Sequence, residues 1–271
     1  ATVNERIGYR STGHAMQHGV NRPYGALIHY WVGQDPADEA SVVIRDASGQ
    51  VVRSLSGPAE VGLNRVVWDL SMDPPAGMGG RGGVEVLPGG YSVEVTVGEN
   101  EARASLSVLP DPRVSFTTAE REEKLAAIEE AQGWVGTANG AREALQDALD
   151  GIWEAADALD ADADEELRRE THEVLLALTA ANERIFTGPE CQGLCGGDPL
   201  AGRVGLPLRY LGSSPGGVTS LDRLTMSQAS AVLDQVLDEV NALLSGPVAA
   251  LRQSYAAAGV NPVPEIGAVR R

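Results

Sequence analysis

The sequence predicts an α+β multidomain chain, an antiparallel β-sandwich followed by an antiparallel three- or four-helix bundle. Three observations predict it. Short apolar-alternating runs separated by turn residues fill residues 23–112. Pro110-Asp111-Pro112 then ends that texture. Beyond it, from 117 to 260, long segments carry apolar residues at helical spacing and are joined by short links.

Residues 1–22 contain Gly8, Gly13 and Gly19 and no sustained apolar period, so an extended N-terminal arm is expected. Such an arm either drapes over the surface or lies on a partner protein by strand addition or groove docking. His14 and His18 are spaced as metal ligands on a helix would be, but the glycines oppose that helix; they are expected instead as partner contacts.

Six strands are predicted: Ala26–Val32, Ser41–Asp46, Gln50–Ser56, Leu63–Leu70, Tyr91–Val97 and Ala102–Leu109. The stretch 47–70 organises them, because its two alternating runs place Val52, Leu55, Val66, Trp68 and Leu70 inward. Tyr30, Trp31, Trp68 and Tyr91 are read as core or rim aromatics. Gly77, Gly79 and Gly82 match the spacing of a dinucleotide fingerprint. No helix follows them, so the segment reads as an inter-strand loop, with Arg81 as a candidate partner contact.

Thr117-Thr118-Ala119-Glu120 opens the first helix with capping residues before an acidic turn. Its expected stripe runs through Leu125, Ile128 and Ala131, then Leu145, Ala148, Leu149, Ile152, Trp153, Ala156 and Leu159, with Gly133, Gly136 and Gly140 loosening the middle. A second helix is expected over 164–186 and a third over 225–258, bent near Gly246-Pro247. Asp160, Asp162 and Asp164 mimic the start of a calcium loop. Glu165 and Thr171 break the pattern where a turn glycine and a bidentate glutamate belong. His172 reads as a surface or satisfied histidine.

A long loop over 187–224 carries both cysteines and an apolar run. Cys191 and Cys195 form a candidate disulfide, with free thiols as the alternative; a structural zinc site would need ligands that are not nearby. Leu206, Leu208, Tyr210 and Leu211 form an apolar anchor that either packs back over the bundle or contacts a partner. The tail, residues 261–271, reads as extended and mobile.

The formal net charge is −17. A field of that sign opposes nucleic-acid binding, which needs clustered Lys and Arg. No run of about 18 apolar residues is present, so no transmembrane segment is expected. The chain begins at Ala1 without Met, which is expected of a processed mature chain or a fragment. There is no Gly-x-Ser-x-Gly elbow, no His-based metal set and no supported phosphate loop, so the expectation is a non-enzyme without cofactors.

The series NRPYGALIHYWV, IRDASGQVVRSLSGPAEVGLNRVVWDL, VLPGGYSVEVTV and VLPDPRV resembles the C-terminal region of bacterial sortilin-like, BNR-repeat propeller proteins. The residues that carry the likeness are Asp46, Gly49, Arg53, Gly62, Trp68, Asp69, Pro88, Gly89 and Tyr91. Thr225–Val263 is similar to the closing helix of that family. The resemblance implies an immunoglobulin-like module at 23–112, a helical segment after it, and export from the cytoplasm. No propeller repeat or Asp-box occurs here, so the propeller's recognition properties do not carry over.

The resulting expectation is a non-catalytic periplasmic structural or protein-interaction subunit. Its setting would be the periplasmic face of a membrane complex, for example a photosynthetic reaction centre with its antenna. Two alternatives stand beside it. One is the detached accessory region of a sortilin-like or sialidase-like propeller hydrolase. The other is a carbohydrate-binding module using Trp31 or Trp68, which requires those aromatics to be exposed.

Overall fold

A computed structural model describes residues 23–33, 38–74, 83–113, 115–159, 165–187, 199–213, 216–259 and 265–271. The chain is a mixed α+β protein of two compact units, residues 1–122 and 123–271. The first contains antiparallel sheets and the second is helical.

The first unit holds β1 (Ala26–Val32), β2 (Ala40–Arg45), β3 (Val51–Gly57), β4 (Gly62–Trp68), β5 (Gly89–Val97) and β6 (Asn100–Val108). They form a two-stranded sheet, β1-β4, and a four-stranded sheet in the order β3-β2-β5-β6. Each expected strand is present with its ends within two residues, because alternation and turn residues coincide along this stretch.

Both sheets contribute to one apolar cluster that includes Ala26, Val66 and Trp68 from the first and Val42, Ile44, Tyr91 and Val93 from the second. Trp68 and Leu70 are fully buried. Trp68 meets the Tyr91 ring edge-on at 5.5 Å, and its Nε1 donates to the Ser71 carbonyl at 2.9 Å. Val52 and Leu55 both pack against this core although they differ in parity. A β-bulge opposite Ile44 and Arg45 supplies the extra residue that permits it.

The β2–β3 turn is held by one carboxylate. Asp46 Oδ1 accepts from the backbone N–H and hydroxyl of Ser48 and from Gln50 N–H, while Gly49 takes φ +85. The hydroxyl of Ser48 is the chief cause that holds the Asp46 carboxyl below its ordinary range. After β4, residues 70–72 pair with 84–86 through Met72 N–H to Val84 O, Val86 N–H to Leu70 O and the Ser71–Glu85 bridge. The glycines read as an inter-strand loop, Gly77, Gly79 and Gly82, lie outside the described residues.

The second unit holds α1 (Thr118–Asp157), α2 (Glu165–Asn182), α3 (Leu200–Val204), α4 (Leu206–Ser213), α5 (Ser220–Leu243) and α6 (Ala249–Ala257), α1 beginning just before the boundary between the units. Helix α1 starts as expected: Glu120 N–H donates to Thr117 Oγ1 and Thr117 N–H to Glu120 Oε2. Gly133, Gly136 and Gly140 do not interrupt it. Its buried apolar positions Ala127, Ala131, Trp134, Ala138, Ala141, Leu145, Ala148, Ile152 and Ala155 alternate in steps of four and three, a strict seven-residue repeat. This corrects the expected stripe: Trp134 replaces Trp153, which is exposed.

Helix α2 continues through a π-helical turn at Glu183–Thr187, and α5 joins α6 through a second at Leu244–Val248. That second turn contains Pro247, so the expected bend is a local widening that accommodates a residue without an N–H. Helix α5 begins five residues before the expected start, because Thr219 and Asp222 form a capping box. Thr171 donates to Leu167 O on α2 and meets the Tyr255 hydroxyl of α6 at 3.0 Å within the helical core.

Two further expectations are corrected. The 187–224 stretch is not one loop, since α3 and α4 lie inside it. The last seven residues are not a free tail: Ile266 and Val269 pack on the helical core, and Arg271 pairs with Asp234 beside the Trp134 ring.

Candidate interaction surfaces

The apolar anchor expected around position 208 divides in the structure. Leu211 is 1% exposed and Leu208 packs against the helical core, as does Leu200 of α3. Leu206 is half-buried and Tyr210 is 42% exposed. Helical spacing explains the split, because Leu208 and Leu211 share one face of α4 while Tyr210 lies off it. The segment therefore packs back over its own helices.

His14, His18, Arg81, Cys191 and Cys195 lie outside the described residues, as do Asp160, Asp162 and Asp164. His172 is exposed on α2. Among the described residues, no group of three His, Cys, Asp or Glu side chains is placed to hold a metal ion. Nor is any described helix long and apolar enough to cross a membrane.

The outward face of the β1-β4 sheet is the feature that stands out. The register sets Trp31 opposite Leu63, His29 opposite Arg65 and Leu27 opposite Val67. Trp31 is 73% and Leu63 70% exposed, with Val61 exposed just before β4. The opposite parity packs inward: Ile28 and Tyr30 lean on the core, and Val66 and Trp68 are buried. Tyr30 donates its hydroxyl to Pro58 O at 2.5 Å, and burial raises the pKa of its phenol. This hydroxyl crowds Gly57, where a Cβ would lie 2.5 Å from it.

Of the aromatics read as core or rim residues, Trp31 departs from the others, and it takes Leu63 with it. The signal was present in the alternation, since placing Val66 and Trp68 inward sends Leu63, Arg65 and Val67 outward. Asn64 obscured it, being a polar residue at an inward position. Its side chain donates to Glu60 O and Gly62 O and accepts from Glu60 N–H, so it closes the β3–β4 loop from within.

A concavity of about 340 Å³ lies on the four-stranded sheet among Arg45, Gly49, Ser92, Val93, Glu94 and Arg103. Its cations are already engaged, Arg45 by Gly49 O and Arg103 by Glu94 and Glu101. In comparisons with known proteins, the chain matches no family model and no curated protein.

Proposed function

We propose that this chain is a non-catalytic protein-interaction subunit that works outside the cytoplasm, on the periplasmic face of a membrane complex. One observation carries the reading. A tryptophan and a leucine stand cross-strand on an outward sheet face, and contiguous apolar surface of that kind favours covering by a partner. In fold terms the reading is an immunoglobulin-like sandwich followed by a helical bundle. The Tyr91 hydroxyl supports it by donating to Leu87 O at 2.6 Å near the start of β5, as in a tyrosine corner. The likeness to the C-terminal region of sortilin-like propeller proteins supports the exported location. Gentle native purification from the source membrane, followed by mass spectrometry, tests the proposal. Stoichiometric recovery with a membrane complex is expected, and recovery of the chain alone would reject it.

The exposure of Trp31 also favours a second reading, a carbohydrate-binding module, since an open indole is a stacking platform; Trp68, fully buried, is not. Glycan binding abolished by Trp31→Ala would decide for it.

A further inference from the structure

We infer that β1 and the outward face around Trp31 and Arg65 receive an extended segment of a partner protein, which adds to the sheet as a third strand and carries an apolar residue and a carboxylate two positions apart on one face. The inference rests on the interaction-subunit reading above and names the partner's chemistry. Its first support is the edge itself. Among the described residues, no backbone pairs with the outer side of β1, which leaves an open row of main-chain donors and acceptors.

The edges of the other sheet are protected. On β3, Asp73 donates its N–H to Val52 O at 2.7 Å, and its carboxylate accepts Ser54 N–H at 2.9 Å. On β6, Glu101 and Arg103 place charges along the edge. In contrast, Ala26–Val32 contains no Lys, Arg, Asp, Glu or Pro.

The second support is charge. Among the described arginines of the first unit, Arg45, Arg53, Arg103 and Arg113 bond to carbonyls or carboxylates and Arg121 stands over the Phe116 ring. Arg65 is exposed and engages no described residue. It lies across from His29 and two residues along the strand from Leu63. A strand laid beside β1 would set an apolar side chain against Trp31 and a carboxylate near His29, within reach of Arg65 across strand spacings of about 4.8 Å.

The same charge argument disfavours the nearer candidates. A second copy pairing β1 with β1 would bring no carboxylate, leaving both Arg65 side chains unmatched. Residues 1–22 carry Glu5 against Arg6, Arg10 and Arg22, so they too are a poor match for a cation.

The test uses the full chain and two synthetic seven-residue threonine-based peptides, one with valine and glutamate two residues apart on one face and one with lysine in place of that glutamate. Hydrogen exchange of the β1 amides and tryptophan fluorescence report binding. The glutamate peptide should protect the amides of 26–32 and the lysine peptide should not. Arg65→Glu should weaken the glutamate peptide about tenfold and turn the preference toward lysine, and Trp31→Ala should abolish the response.

Absence of protection by the glutamate peptide, or equal protection by both peptides, overturns the inference. So does protection that appears only after residues 1–22 are removed, which would assign the edge to the chain's own start. Sugar binding lost in Trp31→Ala without amide protection overturns it in favour of a carbohydrate. If a protein partner co-purifies with wild type and is retained equally by Trp31→Ala and Arg65→Glu, the interaction reading stands and this face is not the site.

Discussion

Asn241 and Val269 exchange two hydrogen bonds: the Asn241 side-chain amide donates to Val269 O at 3.0 Å, and Val269 N–H donates to Asn241 Oδ1 at 2.9 Å. This reciprocal pair fastens the C-terminal residues to α5 one turn before the π-helical turn. Asn241→Ala should cost about 1–2 kcal/mol in chemical denaturation and expose the Val269 amide to exchange. Unchanged protection at Val269 would show that Ile266 and Arg271 hold the segment without it.

Two glycine substitutions should act in opposite directions. Gly25 has φ +115, and a Cβ there would lie 2.0 Å from Trp68 O, so Gly25→Ala should destabilise the β1-β4 sheet by more than about 1 kcal/mol. At Gly133, inside α1, a Cβ meets nothing within 4 Å. Gly133→Ala should stabilise by up to about 1 kcal/mol. Thermal melts of the two variants check both signs.

How much of this was legible in the sequence differs between the units. The strands followed from period-two alternation and turn chemistry, and the expected inward residues Trp68 and Leu70 are fully buried. The α1 stripe was harder to read because most of its buried positions are alanines, which carry weak apolar contrast, so Trp134 was missed and Trp153 was placed wrongly. Helices α3 and α4 were hidden by the Gly and Pro content around them. The docked C-terminus depends on Asn241, 28 residues away in sequence, a pairing that no local pattern encodes.

Acid should loosen the β2–β3 turn. The Asp46 carboxyl is lowered in the folded chain by the Ser48 hydroxyl first and by backbone donors, and Glu120 is lowered by the Thr117 N–H and hydroxyl. A group lowered on folding contributes stability above its unfolded value and loses it as pH falls through the folded one. Stability should therefore hold from neutral pH down to about 4 and decline below that. Asp46→Asn should flatten part of this decline in acid-denaturation curves; an unchanged curve would remove Asp46 from the account.

The Trp68 and Tyr91 pair should be the most sensitive point of the first unit. Trp68→Ala removes a fully buried ring and should cost about 3–5 kcal/mol, while Tyr91→Phe loses the bond to Leu87 O and should cost about 1 kcal/mol. Urea titrations of both variants provide the check.

The most direct test of the central claim is photocrosslinking from a benzophenone side chain placed at position 31 of the full chain in its native membrane extract. The account predicts one dominant adduct to a different protein, with an acidic, extended peptide at the crosslinked site. Adducts confined to this chain or to copies of it would contradict the account.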